Sequence, residues 1–240
     1  MSAADAHQNL RVAQKRTLLR DQVRKKLRNA IVQGWYAPGS RLTERELCEA
    51  LGVSRTSVRE VLRQLETEKL VHMEPKVGPI VAVLTLEDAR QIYETREIVE
   101  GAIIRLFVAR ASAAEIARLT RYVDDFERAA ACLDLPALLA SMEAFYGTIL
   151  DGAGNAVLTE IMSQLLARIG ALRAKTLSVP GRLPASVAEM RAIVEAIARR
   201  EAEPAAAAGI RHVRNASLAA QRELSGESGA SLDADVKRIA

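Results

Sequence analysis

Residues 43–63, TERELCEALGVSRTSVREVLR, admit few folds. Thr43 and Glu46 have the spacing of a capping box, in which a hydroxyl holds a helix-start amide and a carboxylate reaches back. Leu47 and Leu51 then place an apolar stripe on one short helix. Gly52 suits the turn that follows, because a residue without Cβ escapes the penalty of positive φ. Ser54 is a cap for a second helix. Val58, Val61, Leu62 and Leu65 recur at i, i+3, i+4 and i+7, which makes one buried face. The pattern is helix–turn–helix. The other face of the second helix carries Arg55, Arg59 and Arg63 at four-residue intervals, with Thr56 near the helix start. Like charges so spaced repel one another. They suit a helix lying in a DNA major groove, where arginine reaches guanine edges or grips phosphates. A solvated basic helix is the plainer alternative.

Residues from about 17 to 84 resemble the winged helix–turn–helix of the GntR family of bacterial transcription regulators. The matching segments are Ile31-Val32-Gln33-Gly34, Pro38-Gly39-Ser40-Arg41-Leu42, Glu44-Arg45-Glu46-Leu47, Val53-Ser54-Arg55-Thr56-Ser57-Val58-Arg59-Glu60 and the closing Gly78. The resemblance implies binding to a double-stranded DNA operator. It implies base readout by Arg55, Thr56 and Arg59, and backbone positioning by Arg45, Ser54, Lys76 and Gly78. Repression is the commoner outcome in the family.

Charge is distributed to match. The chain of 240 residues has a net charge of +4, yet residues 1–84 hold 15 Lys/Arg against 9 Asp/Glu and the remainder holds 19 against 21. The excess positive charge therefore sits with the helix–turn–helix, as contact with phosphate requires. Eight aromatic residues are too few for single-strand binding by base stacking. Cys48 and Cys132 fit no metal or redox spacing. No apolar run approaches a membrane span, and the N-terminus lacks a signal-peptide core. A cytoplasmic protein with no membrane partner is expected.

In chain order, residues 1–16 read as a flexible basic arm with Arg11, Lys15 and Arg16. A helix is expected from about 18 to 33, burying Leu19, Val23, Leu27, Ala30 and Ile31 and ending at Gly34. Its Arg24, Lys25, Lys26 and Arg28 fit a solvated surface or phosphate contact equally. After the second helix of the motif, residues 70–74 and 80–83 read as two short strands, with Lys76 and Gly78 at the tip between them. Beyond Leu84 the pattern turns to long helical periods. Six helices are expected: 85–110 capped by Thr85 and Asp88, 112–131 capped by Ser112 and Glu115, 135–150, 155–175, 184–200 and 203–223. Residues 225–240 read as a flexible tail. The fold class is mainly α: a winged helix–turn–helix over 17–84 and an all-α antiparallel bundle over 85–224.

The bundle resembles the FCD domain, the ligand-binding partner in one branch of the same family, in its shorter six-helix form. The residues concerned are Ile92-Tyr93-Glu94-Thr95-Arg96-Glu97 with Glu100, the Gly154-Asn155 turn, and Ile193-Val194-Glu195-Ala196-Ile197. Many FCD domains hold a metal through an Asp and three His. By the resemblance those positions fall at Met142, Tyr146, Met190 and His212, and only the last is kept. A thioether and a phenol are poor replacements for carboxylate and imidazole on zinc, and one histidine holds no metal with useful affinity, so no metal and no cofactor are expected. The resemblance instead implies an effector pocket formed by Arg96, Met142, Tyr146, Arg168, Met190 and His212, with Arg173 a further candidate. The expected effector is a small molecule with a carboxylate, and a more apolar one is the runner-up. For Arg96 the alternative role is an ion pair with Glu100; for the two Met residues it is core packing; for His212 it is a hydrogen-bonded core histidine. A homodimer is expected, because one winged domain reads few base pairs and specificity needs two half-sites. A helical domain that has lost sensing and only dimerises is the second reading. An enzyme is not expected, since no nucleophile–base pair, paired acids or phosphate loop is present.

Overall fold

A computed structural model describes residues 14–226, and side chains from Leu19 onward. The chain divides between Val83 and Leu84 into two compact units. Most of the expected arm and nearly all of the expected tail lie outside the described residues. Helix α1 already begins at Gln14, inside the segment expected to be an arm.

The first unit is built from α1 (Gln14–Val32), α2 (Glu44–Leu51), α3 (Arg55–Thr67), β1 (Val71–Glu74) and β2 (Gly78–Val81). Its core is the set of apolar positions that periodicity marks: Val23, Leu27 and Ile31 of α1, Leu47 of α2, and Val58, Val61, Leu62 and Leu65 of α3. Each such side chain contributes roughly 1.5–3 kcal/mol by leaving water. Leu19, expected on that face, is 49% exposed, because the buried stripe of α1 begins only at Val23. The turn between α2 and α3 is closed by Gly52 in the left-handed region (φ 66°), whose N–H donates to the Cys48 carbonyl. Ser54 caps α3 by accepting from the Ser57 amide. Thr43, by contrast, makes no side-chain cap, and α2 relies on Glu44 and Glu46 in its first turn to complement its positive end.

Arg24 and Arg28, read as solvated or phosphate-facing, both bond Glu68 at the end of α3, at 2.8 and 2.9 Å. They tie α1 to α3 rather than standing free. β1 and β2 form an antiparallel hairpin in which Glu74 faces Gly78. The second strand thus starts at Gly78, two residues before the expected 80, and the tip is Pro75-Lys76-Val77. Lys76 holds a left-handed backbone there, with φ 66°. The segment before α2 adds to the sheet: Leu42 N–H donates to the Pro79 carbonyl and Val81 N–H to the Ser40 carbonyl. This third line of bonds fixes the hairpin to the helix–turn–helix.

The second unit is entirely helical: α4 (Leu86–Arg110), α5 (Ala113–Cys132), α6 (Leu135–Ala153), α7 (Ala156–Arg168), α8 (Gly170–Leu177), α9 (Arg182–Ala198) and α10 (Ala202–Ser225). Thr85/Asp88 and Ser112/Glu115 form reciprocal capping boxes that start α4 and α5. The single helix expected over 155–175 is two, broken at Ile169, whose φ and ψ of −94° and 2° leave the helical range. The bundle therefore has seven helices among the described residues where six were expected. Two arginines finish helices elsewhere in the bundle. Arg110 donates to the Ala153 carbonyl at the end of α6, and Arg200 to the Val108 and Ala111 carbonyls at the end of α4. None of the described helices is long and apolar enough to cross a membrane.

Two apolar clusters fill this unit. The larger joins Ile103, Phe107, Phe126, Phe145, Met190 and Ile197 with their neighbours. The smaller joins Ala89, Ile92, Tyr93, Ile169, Leu172 and Val213. Between them lies a polar interior.

Candidate nucleic-acid interface and buried arginine cavity

The exposed face of α3 carries Arg55, Thr56, Arg59 and Arg63. Its opposite face is the core stripe, so the period that buries Val58 and Leu62 also turns the arginines outward. Arg59 is not free. Its Nε donates to both carboxylate oxygens of Glu44, at 2.8 and 3.0 Å, and this contact holds its pKa above the ordinary arginine value. Glu44 starts α2, so the pair clips the two helices of the motif together at their N-terminal ends. Arg45, next in line, is exposed. Ser54 is occupied by the α3 cap, while its Oγ lies 3.1 Å from that of Ser57. Lys76 is exposed at the hairpin tip, and Gly78 is partly covered at the first position of β2.

The second site is a cavity of about 20 Å³ lined by side chains of α4, α6, α8, α9 and α10. By this measure a water occupies roughly 10–15 Å³, so the space admits one or two waters. Of the residues expected to bind an effector, Arg96, Met142, Tyr146 and His212 line it, as does Arg173. Met190 and Arg168 do not. Met190 is buried in the larger apolar cluster, one turn along α9 beyond Ser186, the last α9 residue in the cavity wall. Arg168 lies at the end of α7 and reaches Asp88 at 3.3 Å. Its place is an ion pair, not the cavity wall.

Sequence reasoning did not single out Arg182, Ser186 and Thr176, and it named Tyr93 only within the segment that resembles the FCD domain; all four line the cavity. Arg182, Ser186 and Glu189 stand at i, i+4 and i+7 on α9, which is the helical signal that could have found them.

The polar contacts form two closed groups. Arg96 Nη2 donates to Glu100 Oε2 at 2.7 Å and to the Tyr146 hydroxyl at 2.9 Å, and that hydroxyl donates to Glu100 Oε1 at 3.1 Å. Burial pushes Arg96 toward neutrality, but Glu100 and the tyrosines reverse this and leave its pKa above the ordinary value. Burial and the Glu100 charge push the Tyr146 phenol up. Arg96 is therefore committed to its neighbours. In the second group Glu189 accepts from His212 Nδ1 and Asn215 Nδ2, both at 2.7 Å, and lies 2.9 Å from Arg182. Burial raises the Glu189 pKa, but the bonds from His212 and Asn215 and the Arg182 charge overcome it, so the carboxyl titrates below its ordinary range.

Arg173 belongs to neither group. Its guanidinium rests over the Tyr146 ring, 5.5 Å from the centroid, and that of Arg96 lies 5.7 Å from the same centroid. Burial pushes its pKa down. Its Nη2 is buried without a hydrogen-bond partner, as are Ser186 Oγ, Arg96 Nε and Arg182 Nη1, whose contact with Glu189 is an ion pair without hydrogen-bond geometry.

A winged helix–turn–helix with an exposed row of arginines, followed in the chain by a helical bundle, is the make-up of a two-domain DNA-binding regulator. Residues 19–81 match the family described as bacterial regulatory proteins, gntR family, and residues 91–215 match the FCD domain. The chain belongs to the GntR family of transcription regulators, in its FCD branch, and is not an enzyme. It is 37% identical to an uncharacterized HTH-type transcriptional regulator in the TAR-I ttuE-ttuC' intergenic region of Agrobacterium vitis, over 54% of this chain and 77% of that one. It is 28% identical to the galactonate operon transcriptional repressor of Escherichia coli K12, over 75% and 87%. The solved structure of E. coli McbR/YncC shares the fold with a TM-score of 0.77 at 22% identity, covering 85% of this chain and 98% of that one.

Proposed function

We propose that this regulator is a repressor that binds its operator as a homodimer and is controlled by a small organic acid held, without a metal, in the bundle cavity. Arg55, Thr56 and Arg59 read base edges; Arg45, Ser54, Lys76 and Gly78 position the DNA backbone. The observation that carries the DNA assignment is the exposed arginine face of α3, set directly opposite the core stripe of the same helix. Repression is supported by relatives named as operon repressors, among them those of the galactonate and gluconate operons.

Support for a metal-free site comes from the donors. Met142 offers a thioether, Tyr146 a phenol whose pKa burial raises, and His212 an imidazole whose Nδ1 is taken by Glu189. A divalent cation binds deprotonated, hard or nitrogen donors, and here it would also face three guanidinium groups. These residues do not fit a metal. They fit an anion. Effector binding would act by preferring one of two arrangements of the dimer, since a ligand shifts an equilibrium only by its differential affinity.

Selection from a random duplex library with the purified chain tests this reading. An inverted repeat with half-sites about one helical turn apart is expected. Enrichment of no sequence, or of a single unrepeated half-site by a monomer in sedimentation, would overturn it.

A further inference from the structure

Three guanidinium groups, Arg96, Arg173 and Arg182, meet at the cavity. Two carboxylates answer them. Glu100 is committed to Arg96 and Tyr146, and Glu189 to Arg182, His212 and Asn215. One positive charge is left over, and it falls on Arg173, for which no carboxylate partner is found among the described residues. A buried charge is strongly disfavoured unless paired. A trapped water would supply Arg173 Nη2 with an acceptor but not with a countercharge.

Three more buried polar atoms without a hydrogen-bond partner, Ser186 Oγ, Arg96 Nε and Arg182 Nη1, belong to residues of the same cavity. Ser186 is 1% exposed, its Oγ has no partner, and it lines the space together with Arg173. A hydroxyl and a planar guanidinium fork are the donors that suit a carboxylate. Two further limits come from charge and size. A single excess cation calls for one negative charge. A cavity of about 20 Å³ takes a headgroup and little else. Longer acids must displace Met142, the one flexible apolar side chain in the wall with three rotatable bonds.

We propose that the cavity is a receptor for one compact monocarboxylate, bound by Arg173 on α8 and Ser186 on α9, while Arg96 serves as a fixed internal support and not as the ligand's partner. This rests on the reading of the bundle as an effector domain and specifies it. It assigns the recognition role to an arginine after the helix break at Ile169, where α8 contributes Arg173, Thr176 and Leu177 at i, i+3 and i+4 to the wall.

The test is thermal unfolding of the full chain in sodium HEPES at constant ionic strength. The probes are sodium acetate, its neutral isostere acetamide, and the dianion malonate. Acetate at saturation is expected to raise the melting temperature by roughly 2–4 °C or more, and acetamide and malonate are expected to leave it unchanged. Arg173→Met removes the unpaired charge. It is expected to melt above the parent without ligand and to lose the acetate response. Ser186→Ala keeps the charge and is expected to weaken acetate about tenfold, and it decides the matter if the first variant does not fold.

Equal responses to acetate and acetamide would overturn the proposal, as would an acetate response that survives in Arg173→Met. A response to malonate or to larger acids without one to acetate would overturn the one-anion receptor and leave the effector domain standing. Silence toward every acid tried would remove both, and would favour a bundle that only dimerises.

Discussion

Glu44 and Arg59 face each other across the two helices of the DNA-binding motif, with Arg59 Nε 2.8 Å from one carboxylate oxygen and 3.0 Å from the other. The pair is solvent-facing, so it adds little to stability. Its effect is on the posture of Arg59. A guanidinium held by Nε keeps further donors at its tip, and holding it in place reduces the freedom lost on binding. Glu44 also puts a negative charge beside the arginine face of α3, which by the proposed function meets phosphate. Glu44→Gln is therefore expected to bind random DNA more tightly while losing discrimination. Anisotropy titrations against operator and scrambled duplexes measure the ratio. An unchanged ratio would mean that Glu44 does not position Arg59.

Base readout and backbone contact separate by their salt and sequence dependence. Arg55→Ala or Arg59→Ala is expected to lower operator affinity roughly 5- to 150-fold and to relax preference at one base position. Lys76→Ala is expected to weaken operator and random DNA alike, and to reduce the slope of log affinity against log salt by about 1. A changed base preference in Lys76→Ala would contradict its backbone role.

The Arg96–Glu100–Tyr146 group should behave as a buried unit. Arg96→Met leaves Glu100 buried without its cation, and a loss of about 3–5 kcal/mol is expected in urea unfolding followed by helical circular dichroism. Adding Glu100→Leu should restore most of that loss. Additive losses in the double variant would show that the two side chains do not act as a pair.

Glu189 sets an acid limb. Its folded pKa lies below the ordinary carboxyl value of 4.5. A depressed carboxyl gives stability that is fully present above the unfolded pKa and is lost as pH falls through the folded one. Stability from this group is thus constant above about pH 4.5 and declines below it. Glu189→Gln is expected to flatten the decline in a series of melting curves taken from pH 6 downward. A slope identical to the parent's would rule out this source.

Two glycines of α6 predict opposite signs. A Cβ on Gly152 would lie 2.5 and 2.7 Å from ring carbons of Phe107, a fully buried side chain. Gly152→Ala is expected to destabilise by about 1–3 kcal/mol, since the ring has nowhere to move. Gly147 meets nothing within 4 Å. Gly147→Ala should stabilise by roughly 0.5–1 kcal/mol through helix propensity alone. Chemical denaturation of both variants distinguishes close packing from simple helical preference.

The DNA-binding unit was largely legible because its signals are local. Ser54, Gly52 and the Val58–Leu65 stripe depend on residues a few positions apart. Misreadings there concern what a segment meets from afar: Leu19 outruns its partner core, and Arg24 and Arg28 find Glu68 some 40 residues on. In the bundle, the capping boxes were readable and the break at Ile169 was not, since Ile169 and Gly170 are both buried by contacts from other helices. The cavity was legible only where a family pattern marked a position. Arg96, Met142, Tyr146 and His212 came from that pattern, whereas Arg182 and Ser186 become neighbours only when five helices converge. Met190 and Arg168 show the limit of marking by pattern. One turns into the apolar core and the other is taken by Asp88.

Lys76 occupies a backbone region that glycine or asparagine would enter more readily, with φ 66° at the hairpin tip. For an L-residue with a long side chain this conformation costs roughly 1–2 kcal/mol. A hairpin shaped by folding alone would place an uncharged, smaller residue at that corner. The hairpin keeps its cation at the tip against the backbone preference of that residue. Its stability therefore has a built-in reserve: Lys76→Gly should yield a firmer hairpin and a weaker hold on DNA of any sequence, so thermal robustness and DNA affinity pull against each other at one residue.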